Sequence, residues 1–212
     1  MTGSPTRRDV AVAGHRGDAA TARRGLDSDD PTVRATALSA LERIGVLDDD
    51  VLTRSLADPD RAVRRRAAEV AAHHPDVDLV GALHDDDPTV VEVAAWSCGE
   101  HESNRAPVLD RLIALAGSAD DALVREAAVA ALGAIGDERG LPAILAATGD
   151  KPAVRRRAVL ALAPFDGEEV DAALARALED RDWQVRQAAE DLERAFAPDQ
   201  SAPDQSAPDQ NV

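Results

Sequence analysis

The sequence is poor in the residues on which many enzymes and disulfide-linked folds depend. It contains one cysteine, no tyrosine, two tryptophans and two phenylalanines, and Lys151 is its only lysine. A single cysteine excludes an intramolecular disulfide framework. With 2% aromatic and 44% hydrophobic residues, a core must be built from alanine, leucine and valine, whose small side chains let helices pack closely. No hydrophobic run approaches the ~18 residues of a membrane-spanning helix.

The charge balance narrows the range of partners. The chain carries 24 basic and 40 acidic residues, which gives a formal net charge of −16. Such a surface repels phosphate groups, so we expect neither nucleic acid nor an anionic membrane as a partner. Residues 1–10 include arginines but lack the apolar stretch of a signal peptide. We therefore expect a soluble, cytoplasmic protein.

A short motif recurs six times along the chain, at intervals of 27 to 34 residues. It is a valine followed by arginine, or once by valine, at Val33-Arg34, Val63-Arg64, Val90-Val91, Val124-Arg125, Val154-Arg155 and Val185-Arg186. This period is typical of stacked helix pairs. Three residues before the valine stands an aspartate, replaced by lysine in the fifth repeat: Asp30, Asp60, Asp87, Asp121, Lys151 and Asp182. Because aspartate is a favourable N-cap, the second helix of each repeat should begin there.

The rows between the repeats indicate where the array ends. With the valine as position 0, positions 5 and 8 are apolar in five repeats but are Glu190 and Glu193 in the sixth. If these rows face the next repeat, the sixth second helix closes the array. Residues 12–18 align with residues 131–137, so an extra second helix opens it. First helices are predicted at residues 18–26, 49–57, 76–84, 104–116, 138–147 and 168–178.

These observations predict one helical domain and a tail. Residues 1–196 should form an all-α, right-handed α-solenoid of six helix pairs plus an N-terminal half-repeat. Residues 197–212 consist almost entirely of proline, serine, alanine, aspartate and glutamine, and they should form a disordered, acidic tail.

The repeat segments also resemble a known family. DPTVRATALSALERIG, DPDRAVRRRAAEVAA and DPTVVEVAAWSCGE are similar to the HEAT-like repeats of phycobilin lyase subunits, over about residues 5 to 196. The resemblance implies an armadillo/HEAT-type superhelix. Proteins with such repeats include bilin lyases and their chaperones, deoxyhypusine hydroxylases, alkylpurine DNA glycosylases and adaptors, so the fold does not select a function. The hydroxylases hold two irons on His-Glu pairs just after the Val-Arg step, and no such pair follows it here.

One group of side chains is compatible with a metal ion. His73 and Glu100 both lie ten residues after their valines in neighbouring repeats, and His101 follows. Two histidines and a carboxylate would suit zinc or a similar cation. The alternative is that histidines at helix C-termini are favoured by the helix dipole and solvated. We expect no metal and no cofactor.

The remaining face of the second helices is the candidate binding surface. Positions 2, 6 and 9 are expected to point away from the partner helix and from neighbouring repeats, on the concave side. The predicted partner-binding residues are Arg65, Glu69, Glu92, Trp96, Glu126, Arg156 and Leu160. An exposed tryptophan flanked by both charge signs suits a peptide or helix of mixed charge. The alternative is that Trp96 folds over small neighbours such as Ala130 and is structural.

No residue pattern indicates catalysis. Cys98 occupies a position that is apolar in the other repeats, which predicts a buried side chain rather than a nucleophile. We therefore expect a noncatalytic scaffold or adaptor that binds a protein or peptide on its concave face. The resemblance implies an alternative, an enzyme-associated subunit or chaperone similar to bilin lyase subunits. Such a subunit would hold a cofactor or a substrate protein in the groove.

Overall fold

A computed structural model describes residues 4–101 and 105–196. Within these residues the chain forms twelve α-helices and two 3₁₀ turns, and it contains no strand. The helices are α1 (Arg7–Arg16), α2 (Ala19–Leu26), α3 (Pro31–Ile44), α4 (Asp49–Ser55), α5 (Arg61–Ala71), α6 (Pro88–Glu100), α7 (Ala106–Ser118), α8 (Ala122–Ile135), α9 (Leu141–Ala147), α10 (Pro152–Ala161), α11 (Glu168–Leu178) and α12 (Trp183–Phe196). The predicted tail, residues 197–212, lies outside the described residues.

The helices form two layers. The second helices of the repeats stack in the order α1, α3, α5, α6, α8, α10 and α12, each in contact with the next. The first helices α2, α4, α7, α9 and α11 pack on this stack from one side. The predicted α-solenoid, with an additional helix α1 at its start, is confirmed.

Helix capping follows the sequence pattern. Asp60 Oδ1 accepts a hydrogen bond from the backbone N of Ala62 at 2.8 Å, and Asp121 Oδ1 accepts one from Leu123 at 2.9 Å. Asp30, Asp87 and Asp182 make the same bond two residues downstream. These bonds satisfy N–H groups of the first turn, whereas Lys151, the residue before α10, makes no side-chain capping bond. Every second helix begins within two residues of its predicted start.

One predicted first helix is wrong. Residues 76–84 form no α-helix, and only a 3₁₀ turn, Ala82–His84, occurs there. Asp78 Oδ1 accepts a hydrogen bond from the backbone N of Val80 at 2.9 Å, so the aspartate competes with helical bonding. Val77 and Leu79 are both buried although they are two residues apart. The segment therefore contributes apolar side chains to the core in an irregular conformation.

The rows at positions 5 and 8 form the core between repeats. In the first five repeats all ten side chains are buried: Leu38, Leu41, Ala68, Ala71, Ala95, Cys98, Val129, Leu132, Val159 and Leu162. Glu190 and Glu193, the corresponding residues of α12, are exposed. The predicted direction of these rows is confirmed, and among the described residues no repeat packs against the far side of α12.

Position 9 does not lie on the free face as predicted. Gly99 occupies this position, and a Cβ added to it would lie 3.1 Å from the Cα of Ala131 in the next repeat. At Gly133 the corresponding distance to the Cα of Ala161 would be 2.6 Å. These short distances show that position 9 faces the next second helix. A glycine at this position has no side chain, so the two backbones can approach closely.

The arginine of the Val-Arg motif links each repeat to the next. In four repeats its guanidinium binds both oxygens of a carboxylate in the loop before the following second helix. The pairs are Arg34–Asp58, Arg64–Asp85, Arg125–Asp150 and Arg155–Asp180. In the third repeat Val91 replaces the arginine, and Ala119 stands where the carboxylate would be, two residues before the cap Asp121. Both partners are thus replaced together.

Candidate functional site

An open groove of about 400 Å³ runs across the free faces of α5, α6, α8 and α10. Five of the seven predicted partner-binding residues line it, namely Arg65, Glu69, Glu92, Trp96 and Glu126. They come from three successive repeats, because each second helix contributes the same face to the surface. The sequence therefore predicted five of the ten residues that line this groove.

The residues that line the groove are displaced slightly around the helix axes from the predicted positions. Val93, Leu123 and Arg157 line it, whereas Arg156 and Leu160 do not. In repeat numbering, the groove uses positions −1 and 3 beside positions 2 and 6. The sequence did offer one signal for the missed residues, because Leu123 is a large apolar residue at position −1, where the other five repeats have threonine, alanine or glutamine.

Apolar side chains form the centre of the groove. Trp96 has 44% of its surface exposed and Leu123 has 57%. Val93, Ala127 and Ala130 lie beside them in the groove lining. Nearly half of the tryptophan therefore stays in contact with water, although Ala130 is close enough to share the groove. These side chains give the groove an apolar centre that water reaches.

Charged side chains border this centre, and most are paired. Glu69 Oε2 lies 3.0 Å from Arg66 Nη1 and 3.8 Å from Arg65 Nη1. Glu126 Oε1 lies 3.6 Å from Arg157 Nε, and this nitrogen is buried without a hydrogen-bond partner in the described residues. A ligand that reorients these side chains would find both charge signs within the groove.

Glu92 differs from the other two groove glutamates. Its side chain is half-buried in the lining, one helical turn before Trp96 on α6. Across the described part of the chain it makes no salt bridge or side-chain hydrogen bond. A carboxylate in that position is available to a cation supplied by a partner.

The candidate metal ligands have separate partners. His101 Nε2 lies 2.6 Å from the backbone oxygen of Ala71, and His73 Nδ1 lies 3.4 Å from Glu42 Oε1. Glu100 is exposed. Among residues 4–101 and 105–196, no three histidine, cysteine, aspartate or glutamate side chains are grouped so that they could hold a metal ion.

His74, the neighbour of these histidines, makes a link that the sequence did not indicate. Its Nε2 lies 2.9 Å from Glu42 Oε2, and its Nδ1 lies 2.7 Å from Asp49 Oδ1. Burial by itself would lower the pKa of His74, but the hydrogen bonds and charges of these two carboxylates outweigh it and raise the pKa. The imidazole thus joins the end of α5 to Glu42 of the preceding repeat.

Cys98 is buried beneath the groove-lining face of α6, with 2% of its surface exposed. Burial raises the pKa of the thiol to about 12. Because the thiolate is the reactive form of cysteine, this residue is unsuited to nucleophilic chemistry.

These features define a helical-repeat solenoid with a groove on its stack of second helices, a fold typical of protein-interaction scaffolds. The family model for HEAT repeats matches residues 50–133, 77–163 and 109–192, which together span residues 50–192. The chain belongs to the HEAT-repeat family. The comparison with curated proteins gave no match.

Solved structures share the fold. The Escherichia coli protein YibA is 18% identical, with a TM-score of 0.62, over 89% of this chain and 74% of its own. A designed armadillo repeat protein is 18% identical, with a TM-score of 0.59, over 82% of this chain and 98% of its own. A second designed armadillo repeat protein, in complex with the peptide (KR)4, is 18% identical, with a TM-score of 0.57, over 91% of this chain and 95% of its own. No helix in the described ranges has the length and hydropathy to cross a membrane.

Proposed function

We propose that this protein is a noncatalytic interaction scaffold that binds a peptide segment of another protein in the groove around Trp96. The observation that carries the proposal is the exposure of Trp96 and Leu123 side by side in a groove bordered by charged residues. Tryptophan is among the residues that most often contribute a large share of binding energy at protein interfaces. An aromatic centre with a charged rim is the usual anatomy of such an interface.

The charges of the groove favour a partner segment with a basic residue. Glu92 has no partner of its own in the described residues and lies one turn from Trp96, so a lysine or arginine of the ligand could pair with the carboxylate and contact the ring. The arginines Arg65 and Arg157 lie at the rim and would accept an acidic residue elsewhere in the segment. A segment of mixed charge that contains at least one basic residue therefore suits the groove.

The complex of a designed armadillo repeat protein with the peptide (KR)4 supports this proposal, because a similar fold there accommodates a basic peptide. The apolar centre of the groove here adds a requirement for an apolar or aromatic residue next to the cation. We infer that the protein selects a short motif that combines the two.

The test is the selection of peptides from a random displayed library, followed by titration of the selected peptide against purified variants. Trp96→Ala should weaken binding by about 2 kcal/mol, which corresponds to roughly 30-fold in Kd, without loss of helix content. The matched control is Trp183→Ala, since Trp183 is 64% exposed but lies outside the groove. That variant should bind as the unchanged protein does.

Two results would contradict the proposal. If the Trp96→Ala variant unfolds at a lower temperature but keeps its affinity for the selected peptide, the tryptophan is structural. Retention of a small molecule in the groove, with no peptide selected, would favour the role that the resemblance to bilin lyase subunits implies. Glu92→Gln tests the pairing of Glu92 with a basic residue of the peptide, separately from the binding of acidic residues by the rim arginines. It should lower the affinity only for peptides that carry the basic residue.

A further inference from the structure

The two ends of the solenoid carry open grooves of opposite charge. At the N-terminal end, a groove of about 380 Å³ lies between α1 and α2. Arg8, Arg16 and Arg24 line it, around the side chain of Val12, which is 37% exposed. Within the described residues Arg8 and Arg16 make no side-chain hydrogen bond or salt bridge, and Arg24 donates to the hydroxyl of Thr21 at 2.9 Å.

Two aspartates, Asp9 and Asp18, lie beside the three arginines in the lining of this N-terminal groove and offset part of their charge. Asp9 Oδ2 accepts hydrogen bonds from the backbone N and the hydroxyl of Thr6, at 3.0 and 2.7 Å. Asp18 Oδ1 accepts one from the backbone N of Thr21 at 3.0 Å. Both carboxylates cap helices and stay negatively charged. The groove lining therefore has an excess of one positive charge, on a chain whose net charge is −16.

The C-terminal end has the opposite character. A groove of about 600 Å³ beside α11 and α12 is lined by the carboxylates of Asp166, Asp171 and Glu193, and no basic residue lines it. None of these carboxylates has a salt bridge or side-chain hydrogen bond in the part of the chain that the structure describes. Phe165 is buried in this groove, whereas Phe196 is 61% exposed at its border.

Both grooves lie on the faces that an adjoining repeat would cover. Glu193 of α12 occupies position 8, which is buried against the next repeat everywhere else in the array. At the other end, Arg8, Val12 and Arg16 follow each other at intervals of one helical turn, on the side of α1 away from its contacts with α3. Polar end faces normally keep a solenoid from stacking. Ends of opposite sign do not serve that purpose between copies of the same chain.

We propose that a second copy of this chain docks end to end, with its basic α1–α2 groove against the acidic α11–α12 groove. Val12 of one copy then faces the Phe196 side of the other, and the arginines face Asp171 and Glu193. The contact is heterologous, so it extends into short chains rather than closing into a dimer. Exposed ion pairs are individually weak, and each copy is strongly negative overall. The association is therefore weak, and added salt screens both the ion pairs of the contact and the repulsion between the copies.

The experiment is sedimentation velocity on the full chain over a range of concentrations. The unchanged protein should form dimers and longer species as concentration rises. The variants Arg8→Glu/Arg16→Glu and Asp171→Lys/Glu193→Lys should each lose at least about tenfold in association constant. An equimolar mixture of the two variants should associate again, because each supplies the charge that the other lost. Circular dichroism checks that both variants keep their helix content.

Variants outside the two end grooves serve as controls in the same sedimentation experiment. Arg23→Glu/Arg43→Glu makes the same change in net charge at exposed positions outside both grooves, and it should leave the association unchanged. Trp96→Ala should also leave it unchanged, since this proposal does not depend on the peptide-binding groove. A chain that stays monomeric at every concentration would overturn the proposal.

Discussion

Arg125 donates from Nε and Nη2 to the two carboxylate oxygens of Asp150, at 2.6 and 2.9 Å. Its third nitrogen, Nη1, donates to the backbone oxygens of Ala119 and Asp120 at 2.7 and 3.1 Å. One guanidinium thus holds a loop of its own repeat and a carboxylate of the next. Because the same arrangement recurs in three other repeats, this interaction sets the spacing along the array.

The first prediction concerns this ion pair. Arg125→Ala should lower the free energy of unfolding by about 2 kcal/mol, because it leaves a largely buried carboxylate and two backbone oxygens without their donor. The double variant Arg125→Val/Asp150→Ala, which copies the native Val91 and Ala119, should lose less than the sum of the two single changes. Urea denaturation of the four proteins measures the difference.

An exposed ion pair provides the control for that cycle. Arg61 Nη1 lies 2.9 Å from Asp87 Oδ2, but the arginine side chain is 70% exposed. Arg61→Ala should leave the denaturation midpoint nearly unchanged, since solvent screens such pairs. An equal loss from both arginine variants would mean that the position of Arg125 between repeats has no special importance.

The second prediction concerns the close approach at Gly133. Gly133→Ala should destabilise the protein by about 2 kcal/mol, because its Cβ would meet the backbone of Ala161 and force the two helices apart. Gly117→Ala, in α7 where a Cβ meets nothing within 4 Å, should instead stabilise it by up to about 1 kcal/mol through helix propensity. Thermal unfolding measures both, and a stabilising Gly133→Ala would show that the contact is loose.

The third prediction is a pH dependence at His74. Because Glu42 and Asp49 raise its pKa in the folded state, its contribution to stability is complete below the unfolded pKa, about 6.5. That contribution is lost as the pH rises through the folded pKa. The difference in unfolding free energy between the unchanged protein and His74→Gln should therefore be larger at acidic than at alkaline pH. His15→Gln, at an exposed position without an ion pair in the described residues, is the control variant.

The fourth prediction concerns Cys98. With its pKa raised to about 12 by burial, the thiol should not react with a thiol-specific reagent while the protein is folded. Labelling should begin only across the denaturation transition, as followed by mass spectrometry in increasing urea. Rapid labelling of the folded protein would indicate that α6 opens locally.

The parts of the fold that depend on local interactions could be predicted from the sequence. Asp60 and Asp121 cap the helices that follow them because the capping bond spans only two residues. The buried rows, from Leu38 to Leu162, follow from helical periodicity alone. The positions of Glu190 and Glu193 indicated the end of the array because two charges cannot replace buried apolar residues.

The parts that depend on how repeats are oriented could not be predicted. Position 9 was placed on the free face because a single helix does not reveal the angle at which the next helix crosses it. Gly99 and Gly133 show that this angle brings the position into the interface. The same rotation moved the groove from Arg156 and Leu160 to Leu123 and Arg157. The helix predicted at residues 76–84 was wrong for a different reason. It was expected because the neighbouring repeats have a first helix at the corresponding place, but the segment around Asp78 is irregular.

Among the five joints between the six full repeats, the joint with Val91 and Ala119 is of a different chemical kind. Four joints contain an arginine–carboxylate ion pair. A rise in ionic strength weakens the attraction within such a pair where it is exposed to solvent. At the joint between α6 and α8, apolar side chains and the contact of Gly99 with Ala131 take their place, and salting-out ions strengthen apolar contacts. The two kinds of joint therefore respond in opposite directions to the same change of solvent. We therefore expect that the joint at which the solenoid begins to unfold depends on the salt concentration.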